Sequence, residues 1–374
     1  MITAIAVIIL ALGGAALWTL VLRDEEPQGH TDRITLVVPA VSGRLHASEP
    51  ELLASLVMTG GTPDSTTFEL GLMMPDGAFL PDDGSHRVSA ELTNLDDGTH
   101  VDALALEPVA DAPTATWSVD DPGVTSEGWW RVRMSIDRPA GDPLRAEFFL
   151  LIEDPNMRGF TSPPAPESDP EAEALLGSAL TQMSEWNSLR WWEWLSAGDG
   201  SIITVEFSVT TPDSNGQPPA FQNRSMFAGK MVPGENGEPP VPPRLDQYTS
   251  VTIGDEAWQV GPEGTPEPRP ATRYLPIQQY PQTYDGATSV HLGITEPIDG
   301  RMAQVVTFHV PTLPTQSEAW YAFWIDVETG ELLQLSMVAM NHYMVWEYFD
   351  VNEPFVLEFP EGVPSGTPQA SPAP

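Results

Sequence analysis

The most informative pattern of apolar positions in this chain lies in residues 320–360, which read WYAFWIDVETGELLQLSMVAMNHYMVWEYFDVNEPFVLEFP. Two apolar runs meet there at the turn Glu328-Thr329-Gly330. Odd and even positions of both runs are apolar, whereas a strand with one solvated face alternates between apolar and polar residues. The pattern therefore predicts an antiparallel sheet that is covered on both faces, or that leaves one face for an apolar ligand.

Residues 33–153 carry a different pattern, in which short apolar segments are divided by turns such as Pro75-Asp76-Gly77. This spacing, without a long helical repeat, predicts an antiparallel β-sandwich. Its strands are predicted at 34–39, 52–59, 66–73, 87–93, 101–106, 114–119, 128–136 and 145–152. One face of the seventh strand is predicted to enter the core through Trp130, Val132, Met134 and Ile136.

A linker and then a helix are predicted between the two patterns. Proline, serine and acidic residues dominate residues 154–169, which indicates a linker. Ser168 and Glu171 match a capping box, and Pro170 suits a first helical turn. Apolar residues then recur at helical spacing as far as Trp186, so we expect one amphipathic helix over 171–187.

The rest of the chain, residues 170–360, is predicted to be mostly strand. Two loops rich in proline and glycine are expected at 212–243 and 261–282, and the tail 361–374 is expected to be disordered. One helix cannot cover so many strands, and the uncovered part would form an apolar groove of the kind that binds small ligands. Strands are predicted at 189–195, 203–209, 248–253, 257–260, 289–294, 302–310, 320–327, 332–340 and 343–349.

The first residues form an apolar run, 2–22, that is interrupted only by Thr3 and Thr19. Its length matches the roughly 20 residues that a helix needs to cross a bilayer. Residues 1–23 are therefore predicted to be a retained transmembrane anchor. A cleaved signal peptide is the alternative, although a basic start is missing.

Charge and composition exclude several classes of function. The formal net charge is −37, which repels nucleic acid and anionic lipid surfaces. The chain has no cysteine, so disulfides and thiolate chemistry are excluded. No nucleophile elbow, phosphate-binding glycine loop or metalloprotease helix motif is found, and we therefore predict a protein that is not an enzyme.

The second half resembles the LolA/LppX-like family of lipoprotein-handling and lipid-binding domains. The resemblance covers roughly residues 171–360 and depends on the order and spacing of short motifs. It implies an open antiparallel β-barrel with a covering helix and an apolar cavity. The motifs are SLR at 188–190, GDG at 198–200, TPD at 211–213, IG at 253–254, AW at 257–258, WID at 324–326, TG at 329–330 and YFDVNEP at 348–354.

The first half is similar to the YtkA-like, immunoglobulin-type domain of bacterial copper-resistance proteins. The matching segments are EGWWRVR at 127–133 and EFFLLIEDP at 147–155. The two domains together resemble the extracytoplasmic part of some CopD-type membrane proteins, whose multi-helix transport region is missing here. The resemblance implies a single-pass protein of the bacterial cytoplasmic membrane with both domains on the extracytoplasmic side.

Two candidate sites follow from these patterns. Met340, His342 and Met344 would share one face of a strand, and thioether with imidazole is a ligand set suited to Cu(I). The alternative is that these methionines line a deformable apolar cavity. The predicted lining of an apolar groove is Leu176, Leu180, Met183, Trp192, Trp194, Trp324, Met340, Met344 and Trp346.

The sequence supports one leading hypothesis and two alternatives. The leading hypothesis is a membrane-tethered binding protein whose second domain holds a lipid or lipoprotein acyl chain, without a cofactor. The sandwich would then be a spacer or would bind a partner protein of the cell envelope. The first alternative is a copper-homeostasis accessory that binds Cu(I), and the second is a structural subunit of an envelope complex.

Overall fold

The structure is a computed structural model, and it describes fourteen parts of the chain. Within these parts, no helix is both long enough and apolar enough to cross a membrane. The anchor predicted at 1–23 lies outside the described residues, as do positions 364–374 of the predicted tail. The described residues are 32–43, 51–74, 78, 80, 86–109, 115–157, 167–197, 201–212, 218–230, 248–261, 263–271, 276–312, 318–340 and 342–363.

The first nine strands form two antiparallel sheets around a shared core. The sheet orders are β1-β2-β3-β7-β6 and β5-β4-β8-β9. The predicted core face of β8 is confirmed, since Trp130, Val132, Met134 and Ile136 are fully buried. The strands are β1 (Arg33–Ala40), β2 (Leu52–Thr59), β3 (Thr67–Met73), β4 (Arg87–Asn94), β5 (His100–Ala105), β6 (Glu107–Pro108), β7 (Thr116–Val119), β8 (Gly128–Asp137) and β9 (Leu144–Ile152).

The remaining strands form one antiparallel sheet of eleven, in the order β15-β14-β13-β12-β11-β10-β20-β19-β18-β17-β16. Among the described strands, β15 and β16 form the two edges of this sheet, so the sheet is open. The predicted mainly-β class is thereby confirmed. The elements are helix α1 (Pro170–Met183), β10 (Ser188–Ala197), β11 (Ser201–Thr210), β12 (Ala220–Lys230), β13 (Tyr248–Ile253), β14 (Glu256–Val260), β15 (Pro266–Arg269), a 3₁₀ helix (Ile277–Tyr284), β16 (Thr288–Ile298), β17 (Arg301–Val310), β18 (Ala319–Asp326), β19 (Leu332–Ala339) and β20 (His342–Phe349).

Helix α1 begins one residue later than its predicted cap. The Asp169 carboxylate, and not the Ser168 hydroxyl, accepts a hydrogen bond from the Glu171 backbone N–H, at 2.8 Å. The Ser168 hydroxyl oxygen instead accepts from the backbone N–H of Val290, at 3.2 Å. Ser168 therefore attaches the start of the helix to the edge strand β16.

Three elements lie inside the two loops that the sequence predicts. Strand β12 lies in the first predicted loop, whereas β15 and most of the 3₁₀ helix lie in the second. Two prolines occupy β15, which an edge strand tolerates because one side of its backbone needs no ladder partner. The 3₁₀ helix contains Pro281. Proline-rich composition therefore concealed regular structure in both loops.

The two-sheet sandwich packs directly on one face of the eleven-stranded sheet. This sandwich-covered face is defined by Trp192, Trp194, Val305, Trp324, Val338, Tyr343 and Val345, which share one apolar cluster with the sandwich core. The rings of Phe149 in β9 and Trp324 meet edge to face with centroids 5.1 Å apart. One of the two covers predicted for the sheet is therefore the first half of the chain itself.

Polar contacts also hold the sandwich against the sandwich-covered face, and we call this region of contact the junction. Arg131 of β8 forms a buried salt bridge with Glu296 of β16, and the indole N–H of Trp324 donates to the same carboxylate at 2.7 Å. The backbone also approaches closely, since Ile294 N–H donates to the Leu95 carbonyl at 2.8 Å. A Cβ atom at Gly293 would lie 2.1 Å from that carbonyl oxygen, so only glycine fits there.

The first residues of the predicted linker belong to this junction. The buried Asp154 carboxylate accepts a hydrogen bond from the Tyr343 hydroxyl at 2.6 Å. The Asn156 side-chain amide donates to the Ala339 carbonyl at 3.0 Å, and Met157 is buried in the core. Residues 154–157 are thus fixed against β19 and β20.

Candidate functional site

The opposite face of the eleven-stranded sheet is lined with aromatic rings. This helix-covered face is defined by Trp191, Phe207, Phe308, Tyr321, Phe323, Trp346 and Tyr348, all buried in one cluster with helix α1 and the 3₁₀ helix. Strand parity separates it from the sandwich-covered face, because successive side chains point to opposite sides. The sheet is therefore apolar on both faces for two different reasons.

The aromatic rings fill the middle of the helix-covered face. Trp191 stacks on Phe207 with centroids 4.6 Å apart, and Tyr280 of the 3₁₀ helix meets Trp191 edge-on at 6.2 Å. Tyr284 meets Phe323 edge-on at 4.9 Å. Edge-to-face contacts of this kind are favourable beyond the area that they bury. The 3₁₀ helix therefore seals this part of the face with two tyrosines.

Helix α1 covers the same face with small and medium-sized side chains. It buries Ala172, Leu176, Ala179 and Met183, whereas Leu180 is only partly buried. Its end is held by the Gln182 side-chain amide, which donates to the Thr329 carbonyl at 2.6 Å. That carbonyl belongs to the hairpin turn between β18 and β19, where Asp326 Oδ1 accepts from two backbone N–H groups.

One end of the helix-covered face remains partly accessible. Met337 of β19 and Met344 of β20 lie directly opposite each other in the register, and both are partly buried against the aromatic cluster. Ala339 and His342 form the next pair toward the end of the hairpin, and both are partly buried. This methionine end, defined by Met337, Ala339, His342 and Met344, places apolar surface beside the aromatic floor.

A buried glutamate lies within the aromatic floor. Glu193 of β10 is in register with Trp346 of β20 and Val205 of β11, so its side chain points to the helix-covered face. Burial raises the pKa of Glu193 to about 8, although the nearby indole N–H groups of Trp191 and Trp346 oppose this shift. The carboxyl group is therefore mostly protonated at neutral pH.

Polar atoms around Glu193 lack hydrogen bonds. The indole nitrogens of Trp191 and Trp346 are buried, and neither completes a hydrogen bond, although both lie close enough to lower the glutamate pKa. The Tyr348 hydroxyl is also buried without a hydrogen bond. Burial, and then the charges of Tyr284, Tyr280, Glu193 and Tyr321, raise the pKa of Tyr348 well above its ordinary value.

The predicted groove residues do not share one face. Leu176, Leu180 and Met183 of α1 lie on the helix-covered side, together with Met344 and Trp346 of β20. Trp192, Trp194 and Trp324 lie on the sandwich-covered face instead. Met340 is at the turn after β19 and is 46% exposed. The structure therefore brings together five of the nine residues.

The predicted metal-ligand set is rearranged by a turn. The sequence analysis predicts that Met340, His342 and Met344 share one face of a strand, with Met337 on its other face. In the structure β19 ends at Ala339, so Met337 pairs with Met344 and lies on the same face as His342, whereas exposed Met340 belongs to the turn. Among the described residues, no three His, Asp or Glu side chains come together in a way that could hold a metal ion.

A small cavity lies on the other side of the sheet, between the sandwich and the sandwich-covered face. Its volume is about 10 Å³, and its lining includes Leu36, Phe148, Phe149, Trp194 and Tyr343. A volume near 10 Å³ accommodates roughly one water molecule and no acyl chain. Trp194, a predicted groove residue, therefore contributes to packing between the two halves of the chain.

The sequence analysis missed Glu193, Tyr280 and Tyr284. A signal for Glu193 was present, because the segment Trp191-Trp192-Glu193-Trp194-Leu195 places one acid in an otherwise apolar strand. An acid at a position that must be buried indicates either a structural partner or a ligand. The two tyrosines gave no comparable signal, because they lie in a proline-rich segment without a period.

No protein-family model matches this chain, and no curated protein matches it. Among solved structures, it is similar to the lipoprotein LppX of Mycobacterium tuberculosis, with 16% identity and a TM-score of 0.36, over 51% of this chain and 100% of the other. LprF of Mycobacterium bovis has 12% identity and a TM-score of 0.39, over 52% and 99%. A LolA superfamily protein of Nitrosomonas europaea has 12% identity and a TM-score of 0.20, over 50% and 94%.

Each of these three structures covers about half of this chain, and the Nitrosomonas europaea protein carries the name of the LolA superfamily. The similarity of the first half to YtkA-like domains and to CopD-type proteins stays a prediction.

Proposed function

We propose that this protein binds an apolar ligand, either a lipid or the acyl chain of a lipoprotein, on the helix-covered face of its eleven-stranded sheet. The methionine end carries the proposal, because partly buried Met337 and Met344 continue the aromatic floor toward the surface. Methionine side chains adapt their shape to irregular apolar partners. Each methylene of a bound chain would gain about 0.8 kcal/mol from leaving water.

Helix α1 would move to admit the ligand. Its buried side chains are small or unbranched near the backbone, and its end is held to the hairpin turn by Gln182. Displacing such a helix costs less than displacing the aromatic floor, because less apolar area is exposed. We therefore expect the acyl chain to lie between α1 and the strands β19 and β20.

Binding can be tested on the full-length protein by titration with a pyrene-labelled fatty acid and by mass spectrometry of co-purified lipids. Met344→Glu would place a charge in the proposed path, and we expect it to weaken binding tenfold or more. Met340→Glu is the matched control, because Met340 is exposed at the adjacent turn. No uptake by the wild-type protein, or equal affinities of the two variants, would contradict the proposal.

A second candidate function is Cu(I) binding by Met337, His342 and Met344. The observation that favours it is the pairing of the two thioethers on one face beside the imidazole, which is a soft ligand set. Titration of Cu(I) against a competing chelator should then show weaker binding in Met337→Leu and in His342→Ala. Met340→Leu should leave the affinity unchanged, and loss in none of the three variants would remove this site.

We also propose that the protein is tethered to the bacterial cytoplasmic membrane by residues 1–23, with both halves outside the cytoplasm, and that it has no catalytic activity. The apolar run at 2–22 and the resemblance of the sequence to extracytoplasmic domains support this location. Protease added to intact spheroplasts should digest the protein. Protection until the membrane is lysed would contradict the proposed orientation.

A further inference from the structure

The polar atoms around Glu193 form a compact group within an apolar floor. Trp191 and Glu193 are two residues apart on β10, and their register partners on β20 are Tyr348 and Trp346. The four side chains therefore occupy four adjacent positions on one face, where direct neighbours are about 5 Å apart. We call this group the Glu193 cluster.

The Glu193 cluster contains three buried donors that complete no hydrogen bond. Trp191 and Trp346 each present an indole N–H, and Tyr348 presents a hydroxyl group; none of these three completes a hydrogen bond. A protonated Glu193 adds a fourth donor, its O–H group, and keeps a carbonyl oxygen that accepts. Each of the three aromatic side chains is more than nine-tenths buried. A buried donor without an acceptor costs free energy, so native proteins seldom retain several side by side.

We propose that the Glu193 cluster is a polar subsite that binds the carbonyl oxygen of an uncharged ester or amide group in the ligand, a proposal that rests on the proposed function. The ligand would then be an acylated molecule, such as an acyl ester lipid, and not a bare hydrocarbon. The carbonyl oxygen accepts hydrogen bonds and brings no proton of its own, which matches a cluster rich in donors.

Two other ligand groups fit the cluster less well. A carboxylate would lie beside Glu193 without a cation, since no arginine or lysine is found among the same-face neighbours of the cluster, which are Leu189, Leu195, Val205, Phe207, Leu335 and Met344. A quaternary ammonium group prefers the faces of aromatic rings. One face of Trp191 is already stacked on Phe207, and the N–H groups of Trp191 and Trp346 lie toward Glu193 and would repel a cation.

The register also gives the ligand a continuous path. Leu195, Met344 and Met337 form the row of side chains next to the row of Glu193 and Trp346 on the helix-covered face. Two residues along a strand span roughly 6.6 Å, so the rows are adjacent. A carbonyl group at the Glu193 cluster would therefore continue into an acyl chain that lies over the methionine end.

The test compares two probes of equal chain length, a pyrene-labelled fatty-acid methyl ester and a pyrene-labelled alkane. We expect the full-length protein to prefer the ester about tenfold, since one or two hydrogen bonds to neutral groups are worth roughly 3- to 10-fold each. Glu193→Leu and Trp346→Phe should each reduce the preference, because each removes one donor, and neither should weaken binding of the alkane. Glu193→Gln should keep the preference, because its amide still donates.

Glu347→Gln is the matched control, because Glu347 is the neighbour of Trp346 on the same strand and its side chain points to the other face. It should keep the ester preference. Thermal unfolding of every variant establishes that each is folded at the assay temperature. Equal affinity of the wild-type protein for both probes, or an ester preference as large in Glu193→Leu and Trp346→Phe as in the wild-type protein, overturns the polar subsite and leaves apolar binding intact. Binding of neither probe overturns the proposed function itself.

Discussion

Both faces of the eleven-stranded sheet are apolar, but they differ in whether their buried polar groups have hydrogen-bond partners. On the sandwich-covered face, Glu296 is paired with Arg131 and also accepts from Trp324, and Asp154 accepts from Tyr343. Trp192 Nε1 and Thr204 Oγ1 are exceptions. On the helix-covered face, the donors beside Glu193 lack acceptors. We infer that the first face is built for permanent cover and the second for an exchangeable one.

Two buried acids express the same contrast. Asp154 accepts hydrogen bonds from the Tyr343 hydroxyl and from the backbone and side-chain N–H groups of Asn156, and burial raises its pKa only to about 6. Burial raises the pKa of Glu193 to about 8, and the indole N–H groups of Trp191 and Trp346 oppose this shift only in part. The junction therefore stabilises the charged form of its acid better than the helix-covered face does.

The largest loss in the free energy of unfolding is expected when the contact between the sandwich and the sheet loses its buried ion pair. Arg131→Ala would leave Glu296 buried and without its cation, at a cost of about 4 kcal/mol in the free energy of unfolding. Arg133→Ala is the control, because Arg133 pairs with Glu147 and its side chain is 35% exposed; a pair of this kind contributes about 1 kcal/mol or less. Urea unfolding measures both. Similar losses for the two variants would mean that the junction does not depend on its buried ion pair.

The next largest loss in the free energy of unfolding is expected at Gly293, where the backbones of the two halves lie close together. Gly293→Ala would place a Cβ atom against the Leu95 carbonyl and disturb the hydrogen bond from Ile294, which we expect to lower the free energy of unfolding by about 3 kcal/mol. Gly177→Ala in α1 is the control, because its Cβ would meet no atom within 4 Å. That substitution should stabilise the helix by about 0.8 kcal/mol. A neutral Gly293→Ala variant would show that the junction opens easily.

The sequence predicted most strands, because β2 and β13 (for example) are continuous apolar or β-branched runs bounded by turn residues. It could not assign Trp192, Trp194 and Trp324 to a face. Alternate residues of a strand point to opposite faces of the sheet, but here the residues on both faces are apolar. The local sequence therefore does not show which face packs against the sandwich. The turn at Met340 was missed for a similar reason, since the apolar run continues through it. Contacts between residues distant in the sequence determine both the face of these tryptophans and the position of the turn.

The smallest expected change in the free energy of unfolding comes from Glu193 on the helix-covered face, and it occurs within a defined range of pH. The ordinary pKa of a glutamate is 4.5, and in the folded protein that of Glu193 is about 8. The folded state therefore holds this proton more tightly, and the free energy of unfolding falls as pH rises from 4.5 to 8. Between pH 6 and 8 the loss from this residue is about 2 kcal/mol.

Glu193→Gln should remove that loss, so the variant should gain about 2 kcal/mol on the wild-type protein between pH 6 and pH 8. Asp154→Asn is the control, because the pKa of Asp154 is about 6 and its own window lies between pH 3.8 and 6. Urea unfolding at pH 5, 6, 7 and 8 measures all three proteins. A Glu193→Gln variant with the wild-type slope above pH 6 would mean that this acid is ionised in the folded state. The helix-covered face would then satisfy its polar groups as fully as the sandwich-covered one, and the contrast between the two faces would disappear.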